Sequence, residues 1–105
     1  ITMENAKIDI NANKNLEMQM VVSIQKILDP GSFVKPLSDF YKGTKQIAFG
    51  LWLSGEGSTT INDNLIADYY DYNNFDGCPE LKAWMASNNM YLTWYDCGTI
   101  HLYFK

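Results

Sequence analysis

The segment ADYYDYNNFDG, residues 67–77, holds carboxylates and aromatic rings at a spacing suited to binding another protein. Three aspartates and four aromatic rings fall within its eleven residues. Tyrosine is enriched at interface hot spots because it combines a large apolar ring with a polar tip, and nearby carboxylates attract a basic partner. We therefore predict a partner-binding surface with Tyr70 as its central anchor. Its residues are Asp63, Asp68, Tyr70, Asp71, Asp76 and Glu80.

The same segment also has a simpler interpretation as the solvated edge of a helix followed by a turn. Asn, Asp and Gly favour turns because their side chains and backbone adopt turn conformations readily. Asp76 and Glu80 would then face the positive end of the helix that follows. Both interpretations remain open at the level of the sequence.

Calcium binding is a third possibility for this segment. The spacing excludes an EF-hand, because Phe75 stands at the fifth position counted from Asp71 and Lys82 at the twelfth. A calcium site of another kind stays open at Asp71, Asn73, Asp76 and Glu80, since oxygen ligands of this type suit Ca²⁺. We nevertheless expect no cofactor and no resident metal.

The single histidine, His101, offers a different chemistry. Imidazole titrates near neutral pH and is a common general base. In the expected C-terminal hairpin, His101 shares a face with several tyrosines, and a polar aromatic groove there would suit a small ligand. The alternative ligand-binding residues are Tyr91, Tyr95, His101 and Tyr103. We assign no catalytic residue, because a surface histidine on an antiparallel sheet fits this pattern as well.

Composition excludes several classes of function. Residues 1–53 contain six lysines and five acids, whereas residues 54–105 contain two lysines and seven acids. The chain has no arginine, the usual bidentate ligand for phosphate and guanine, and its isoelectric point is near 4.7. Binding to nucleic-acid phosphates or to anionic membranes is therefore disfavoured. The G-x-G of residues 54–58 lacks the third glycine of a dinucleotide fingerprint, and no serine lies in a G-x-S-x-G context.

The compartment follows from the cysteines and from apolar run lengths. No apolar run approaches the roughly 20 residues of a membrane helix, and the first residues lack the basic and apolar pattern of a secretory signal. Cys78 and Cys97 form neither a disulfide framework nor a zinc ligand set, so unpaired thiols are favoured and a bridge remains open. Removal of a signal peptide remains an open alternative, but we expect a cytoplasmic protein. Its lysine-, asparagine- and tyrosine-rich usage is typical of bacterial or phage chains.

Hydrophobic periodicity predicts the elements that position these residues. It indicates a short strand at 7–13, a helix over 15–28, a two-sided central strand at 46–55, a helix over 59–72, and a helix that begins at Pro79. The interval 32–45 reads either as a short helical turn or as a packed loop. A final hairpin follows, in which a three-residue loop with a left-handed Gly98 pairs Trp94 with Ile100 and Leu92 with Leu102.

Together these elements predict an α+β fold within a single small domain, residues 1–105. A mostly antiparallel sheet of three to five strands packs against two or three helices and ends in the C-terminal β-hairpin. The leading functional hypothesis is a small acidic, non-enzymatic interaction domain, such as an inhibitor or immunity-type protein, that docks on a basic site of a larger protein. One alternative is a ligand-binding or weakly catalytic domain. The other is a homo-oligomeric structural subunit, for which Met18 and Val22 on the first helix offer a contact point.

Overall fold

The computed structural model describes residues 10–105, which form three helices, a four-stranded antiparallel sheet and a separate two-stranded hairpin. The helices are α1 (Ile10–Gln25), α2 (Leu37–Phe40) and α3 (Pro79–Asn88). The strands are β1 (Val34–Pro36), β2 (Gly50–Ser54), β3 (Thr60–Ile61), β4 (Asn64–Leu65), β5 (Met90–Asp96) and β6 (Thr99–Phe104). The main sheet has the strand order β1-β2-β6-β5, and the hairpin β3-β4 lies outside it. The predicted α+β class and antiparallel sheet are confirmed.

Strand β2 lies between β1 and β6, as its two apolar faces predict. Leu51 and Leu53 are fully buried and pair with Leu102 and Ile100 of β6. Gly50 has φ +154° and passes so close to the Leu102 carbonyl that a Cβ would overlap it, which explains the glycine at this position. The strand is shorter than the predicted 46–55, since residues before Gly50 pair with no strand of residues 10–105.

The C-terminal hairpin has the predicted register but a different turn. Trp94 pairs with Ile100 and Leu92 with Leu102. The predicted three-residue loop is wrong, because Asp96 pairs with Thr99 and Gly98 is not among the residues with positive φ. A bulge between Trp94 and Asp96 adds the extra residue instead, so that a two-residue turn keeps the aliphatic side chains on one face.

Helix α1 begins earlier than the sequence pattern predicts. Residues 10–13 are helical, so the predicted strand over 7–13 is wrong there, and its residues 7–9 lie outside the described chain. Val21 and Ile24 enter the core as expected, but Leu16 is exposed and the neighbouring Glu17 is buried. The Glu17 carboxylate is buried because backbone N–H groups of other elements bond to it. The helix therefore turns a charged residue inward and an apolar one outward.

The largest difference concerns residues 59–72, which form no α-helix. Strands β3 and β4 pair through a turn at Asn62 and Asp63, whose φ angles are 52° and 64°. Positive φ at both positions is typical of the two-residue hairpin turn whose twist matches the strands. A helix here would bury one stripe of side chains, namely Ile61, Leu65, Ile66, Tyr69 and Tyr72. In the structure only Ile61 and Ile66 of these are buried, whereas Leu65, Tyr69 and Tyr72 are exposed.

The hydrophobic core lies between one face of the main sheet and helices α1 and α3. Helix α3 begins at Pro79, as predicted, and buries Leu81, Trp84 and Met85. The opposite sheet face is covered by aromatic rings from α2 and its flanking residues. Cys78 and Cys97 are unpaired, in agreement with the favoured expectation. Within residues 10–105, no helix combines the length and apolar character needed to cross a membrane.

Candidate functional site

The predicted binding segment folds into a compact loop, residues 66–78, that joins β4 to α3. We call it the recognition loop. Its ends are bonded to each other, because the Cys78 N–H donates to the Ile66 carbonyl over 2.8 Å. Inside it, the Asp68 N–H donates to the Asn74 carbonyl over 3.0 Å, and residues 72–74 form one turn of 3-10 helix. A short loop closed in this way holds its side chains in a defined arrangement.

Two aspartates give the recognition loop its shape. Asp68 Oδ1 accepts the Tyr70 N–H at 3.0 Å, and Asp71 Oδ1 accepts the Asn73 N–H at 3.0 Å. Asp71 Oδ2 also accepts the Asn74 side-chain amide at 2.8 Å. Such bonds between an Asp side chain and the backbone two residues on stabilise turns. Asp68 and Asp71 therefore contribute structure as well as negative charge to the surface.

Aromatic rings of the recognition loop pack on Trp94 of β5. The Trp94 ring centroid lies 5.3 Å from that of Tyr69 and 5.7 Å from that of Phe75. Tyr69 in turn contacts Tyr70 edge to face, with a centroid distance of 5.4 Å. Trp94 was expected only as a member of the buried sheet face. It joins the candidate site because it contacts Tyr69 and Phe75 of the loop.

Aromatic rings of the recognition loop line a cavity that is open to solvent, which we call the tyrosine pocket. Its volume is about 550 Å³, and its lining residues are Tyr69, Tyr70, Tyr72, Asn73, Phe75 and Asp76. Tyr70 is 81% exposed and Tyr72 is 95% exposed, far beyond what large aromatic side chains usually show. Exposed aromatic rings gathered at one place are typical of an interaction site.

A second concavity lies beside it, between the β3-β4 hairpin and the start of α3. We call it the hairpin cleft. Its volume is about 460 Å³, and its lining residues are Ile61, Asn62, Asn64, Leu65, Asp68, Asn74, Cys78, Pro79 and Glu80. Asn side chains and two carboxylates give this cleft a polar character, in contrast to the aromatic walls of the tyrosine pocket.

The structure distributes the predicted partner-binding residues over these two cavities. Tyr70 and Asp76 line the tyrosine pocket, whereas Asp68 and Glu80 line the hairpin cleft. Asp71 precedes the 3-10 turn between them, and Asp63 occupies the tip of the β3-β4 hairpin. The acidic side chains thus lie along one stretch of surface, and the aromatic anchors cluster at the tyrosine-pocket end.

Negative charge surrounds Tyr70 without a neutralising lysine. Glu56, in the turn after β2, places its carboxylate against Gly98 of the neighbouring turn. The pKa of the Tyr70 phenol is raised, first by a side-chain hydrogen bond with Cys97 and further by nearby charge that includes Glu56. Among residues 10–105, no ion pair joins a lysine to Glu56 or Asp76. The carboxylates around the pocket therefore remain open to an external cation.

The His101 face does not form the open groove expected from the sequence. His101 is only 1% exposed, because Phe40 lies edge-on to its ring at 4.4 Å and Tyr95 stacks on it at 5.1 Å. Its Nε2 atom has no hydrogen-bond partner within residues 10–105, and burial lowers the pKa of the imidazole. Tyr103 lies beside it, and Tyr91 stacks on Tyr103 at 5.8 Å. The rings seal the histidine from solvent, so a ligand could reach it only by displacing Phe40 and its neighbours.

The calcium interpretation finds no set of clustered carboxylates to support it. Across the described part of the chain, no group of three or more His, Cys, Asp or Glu side chains is placed to hold a metal ion. Both Asp71 oxygens already accept hydrogen bonds from the loop.

Comparisons of this chain with protein-family models, with curated protein sequences and with solved structures each gave no match.

Proposed function

We propose that this protein is a small non-enzymatic interaction domain, an inhibitor or immunity-type protein, that docks on a basic site of a larger protein. Its docking surface consists of the recognition loop, Trp94 and the tip of the β3-β4 hairpin. The observation that supports this proposal most directly is the exposure of Tyr70 and Tyr72 beside carboxylates that pair with no lysine of residues 10–105. We further propose that it acts in the cytoplasm of a bacterium or of a phage-infected cell.

The energetics favour an interface of this kind. Tyrosine and tryptophan are the commonest hot-spot residues, and truncating one typically costs about 2 kcal/mol or more of binding free energy. Carboxylates at the rim accelerate encounter with a basic surface and make the association rate depend on salt. The recognition loop is already bonded to itself and to β5, so less conformational entropy is lost when a partner binds.

The test is capture of partners from a lysate of the source organism and its hosts, followed by calorimetry with the purified partner. Tyr70→Ala and Asp76→Asn should each weaken the affinity, and the Asp76→Asn complex should depend less on salt. Val22→Ser, on the exposed side of α1, is the matched control and should bind as the wild type does. Equal affinity of all four proteins for the partner would place the interface elsewhere.

A homo-oligomeric subunit is the second candidate, and exposed residues of α1 favour it. Met18 is 50% exposed and Val22 is 56% exposed, one helical turn apart on the same side. A second copy could cover these apolar side chains. Sedimentation equilibrium decides the matter, because a dimer that Met18→Ser and Val22→Ser convert to a monomer would favour this candidate over the docking surface.

A further inference from the structure

We propose that the tyrosine pocket receives one arginine side chain of the partner protein, held by its guanidinium group. This inference deepens the proposed function and rests on it. It assigns the pocket a single occupant of defined chemistry, whereas the docking proposal requires only a basic surface. Three properties of the pocket lead to an arginine: its aromatic walls, its charge and its rigidity.

The walls match a planar cation. Tyr69, Tyr70, Tyr72 and Phe75 contribute four ring systems to one cavity of about 550 Å³. A cation over an aromatic face is attracted by the ring quadrupole, and arginine makes such contacts more often than lysine. The guanidinium plane can also stack on a ring while its edge still donates hydrogen bonds, which an ammonium group on a flexible stem does less well.

The tyrosine pocket carries the negative charge that a guanidinium cation requires. Among residues 10–105, Asp76 is the only charged residue that lines the pocket, and a carboxylate accepts two parallel hydrogen bonds from a guanidinium edge. Lys82 is the nearest competitor, because it lines an adjoining cavity together with Asp76. It forms no ion pair with Asp76, so the carboxylate is available. Since this chain contains no arginine, the guanidinium must come from another molecule.

The pocket exists before any ligand arrives. Phe75 is fixed through its carbonyl, which accepts the Trp94 Nε1–H at 2.9 Å. Tyr70 and Asn73 are fixed through backbone N–H bonds to Asp68 and Asp71, both at 3.0 Å. Each of these bonds holds a lining residue by its backbone. A preformed pocket binds more tightly because little ordering accompanies association.

The test uses three acetylated, amidated pentapeptides of sequence Gly-Ser-X-Ser-Gly, in which X is arginine, lysine or citrulline. Citrulline has nearly the shape of arginine but no charge. Each is titrated into the full chain, and ¹H–¹⁵N shifts are followed for the backbone of residues 69–76 and the Trp94 indole. We expect the arginine peptide to bind in the millimolar range with shifts confined to these groups. The lysine peptide should bind more weakly, and the citrulline peptide should not bind measurably.

Variants separate the contributions of ring and charge. Asp76→Asn and Tyr72→Leu should each weaken binding of the arginine peptide by about fivefold. Asp39→Asn, on the exposed side of α2, removes the same charge as Asp76→Asn but should leave the affinity unchanged. Thermal unfolding of every variant must match the wild type, and Tyr72→Phe, which keeps the ring, must retain binding.

The outcomes distinguish this inference from the docking proposal. Equal binding of the arginine and citrulline peptides, or absence of shifts in residues 69–76, overturns the arginine pocket. If this happens while Tyr70→Ala still weakens the complex with the purified partner, the docking surface stands without an arginine anchor. If the arginine peptide binds as expected and Tyr70→Ala leaves the protein complex unaffected, the pocket recognises guanidinium groups but the proposed docking surface is wrong.

Discussion

The indole Nε1 of Trp94 donates a hydrogen bond of 2.9 Å to the backbone carbonyl of Phe75. This bond joins two segments that the chain separates by nineteen residues, the recognition loop and strand β5. The Trp94 ring also supports Tyr69 and Phe75 from beneath. The position of the tyrosine pocket on the sheet therefore depends on a single tryptophan.

Trp94→Phe should loosen the recognition loop without unfolding the protein. The substitution removes the donor but keeps an aromatic ring, so we expect a loss of about 1 kcal/mol in the free energy of unfolding. Amide hydrogen exchange of residues 68–77 should accelerate. Trp84→Phe is the matched control, because the Trp84 indole donates to Ser23 Oγ at 3.0 Å and so joins α3 to α1 rather than to the recognition loop. Faster exchange of the recognition loop in both variants, or in neither, would contradict the proposed role of the Trp94 bond.

Glu17 should be essential for stability despite its charge. Its Oε2 accepts the N–H groups of Ser38 and Gly50, both at 3.0 Å, and its Oε1 accepts the Ser38 hydroxyl at 2.6 Å. Glu17→Ala would leave the buried Gly50 N–H and the two partly buried Ser38 donors unpaired, at a cost on the order of 3 kcal/mol in the free energy of unfolding. Glu17→Gln keeps the shape and one acceptor oxygen, so it should cost less. Urea unfolding measures both, and equal stability of the three proteins would refute the argument.

Asp29 should make stability depend on pH in the acidic range. The pKa of its carboxyl lies below the ordinary value of 3.8, first because the Thr60 hydroxyl donates to it and then because the Asp63 N–H does. The folded state therefore binds a proton less readily than the unfolded chain, and this stabilisation is present above pH 3.8 and is lost as the pH falls further. In Asp29→Asn, the destabilisation relative to wild type should be greatest near neutrality and should shrink as the pH falls below 3.8. Urea midpoints at several pH values test this, with Asp39→Asn as an exposed control; a difference that grows towards low pH would contradict it.

His101 should make the stability of the fold depend on pH in a second, higher pH range. Burial lowers its pKa from the ordinary 6.5, and the negative charge of Asp96 opposes this shift only in part. The unfolded chain then takes up a proton before the folded protein does, so stability is full above pH 6.5 and declines as the pH falls from there to the pKa of the folded state. His101→Phe should remove this decline while it retains a ring against Phe40 and Tyr95. Titration of the imidazole signals by NMR measures the pKa directly, and a value at or above 6.5 would refute the prediction.

The sequence predicted best where short-range alternation decides the structure. In the C-terminal hairpin, the aliphatic residues can share a face in only one register, so the pairing of Leu92 with Leu102 followed from the pattern. The length of the hairpin turn could not be predicted from the pattern. A bulge near Tyr95 with a two-residue turn and a regular strand with a three-residue loop give the same alternation of side chains. Helix α3 was predictable for similar local reasons, since Pro79 suits its first position and Leu81, Trp84 and Met85 recur at helical spacing.

The region of the candidate site was harder to predict because distant residues determine it. Asp29 bonds to Thr60, Asn62 and Asp63, from which it is separated by 31 to 34 residues, and so stabilises the left-handed turn that ends the hairpin. No helical pattern contains this information, although Asn-Asp between short apolar runs was a signal for a two-residue turn. The contribution of Trp94 was also nonlocal, because it arises where the recognition loop crosses β5.

The strand order of the main sheet has a consequence for folding during synthesis on the ribosome. Strand β6 lies between β2 and β5, and it follows all other described elements in the chain. Until residues 99–104 leave the exit tunnel, β2 lacks one neighbour and Leu51 and Leu53 lack their partners from β6. The sheet can therefore close only after translation of these residues, and nascent chains that stop before Thr99 will expose an apolar strand to chaperones and proteases.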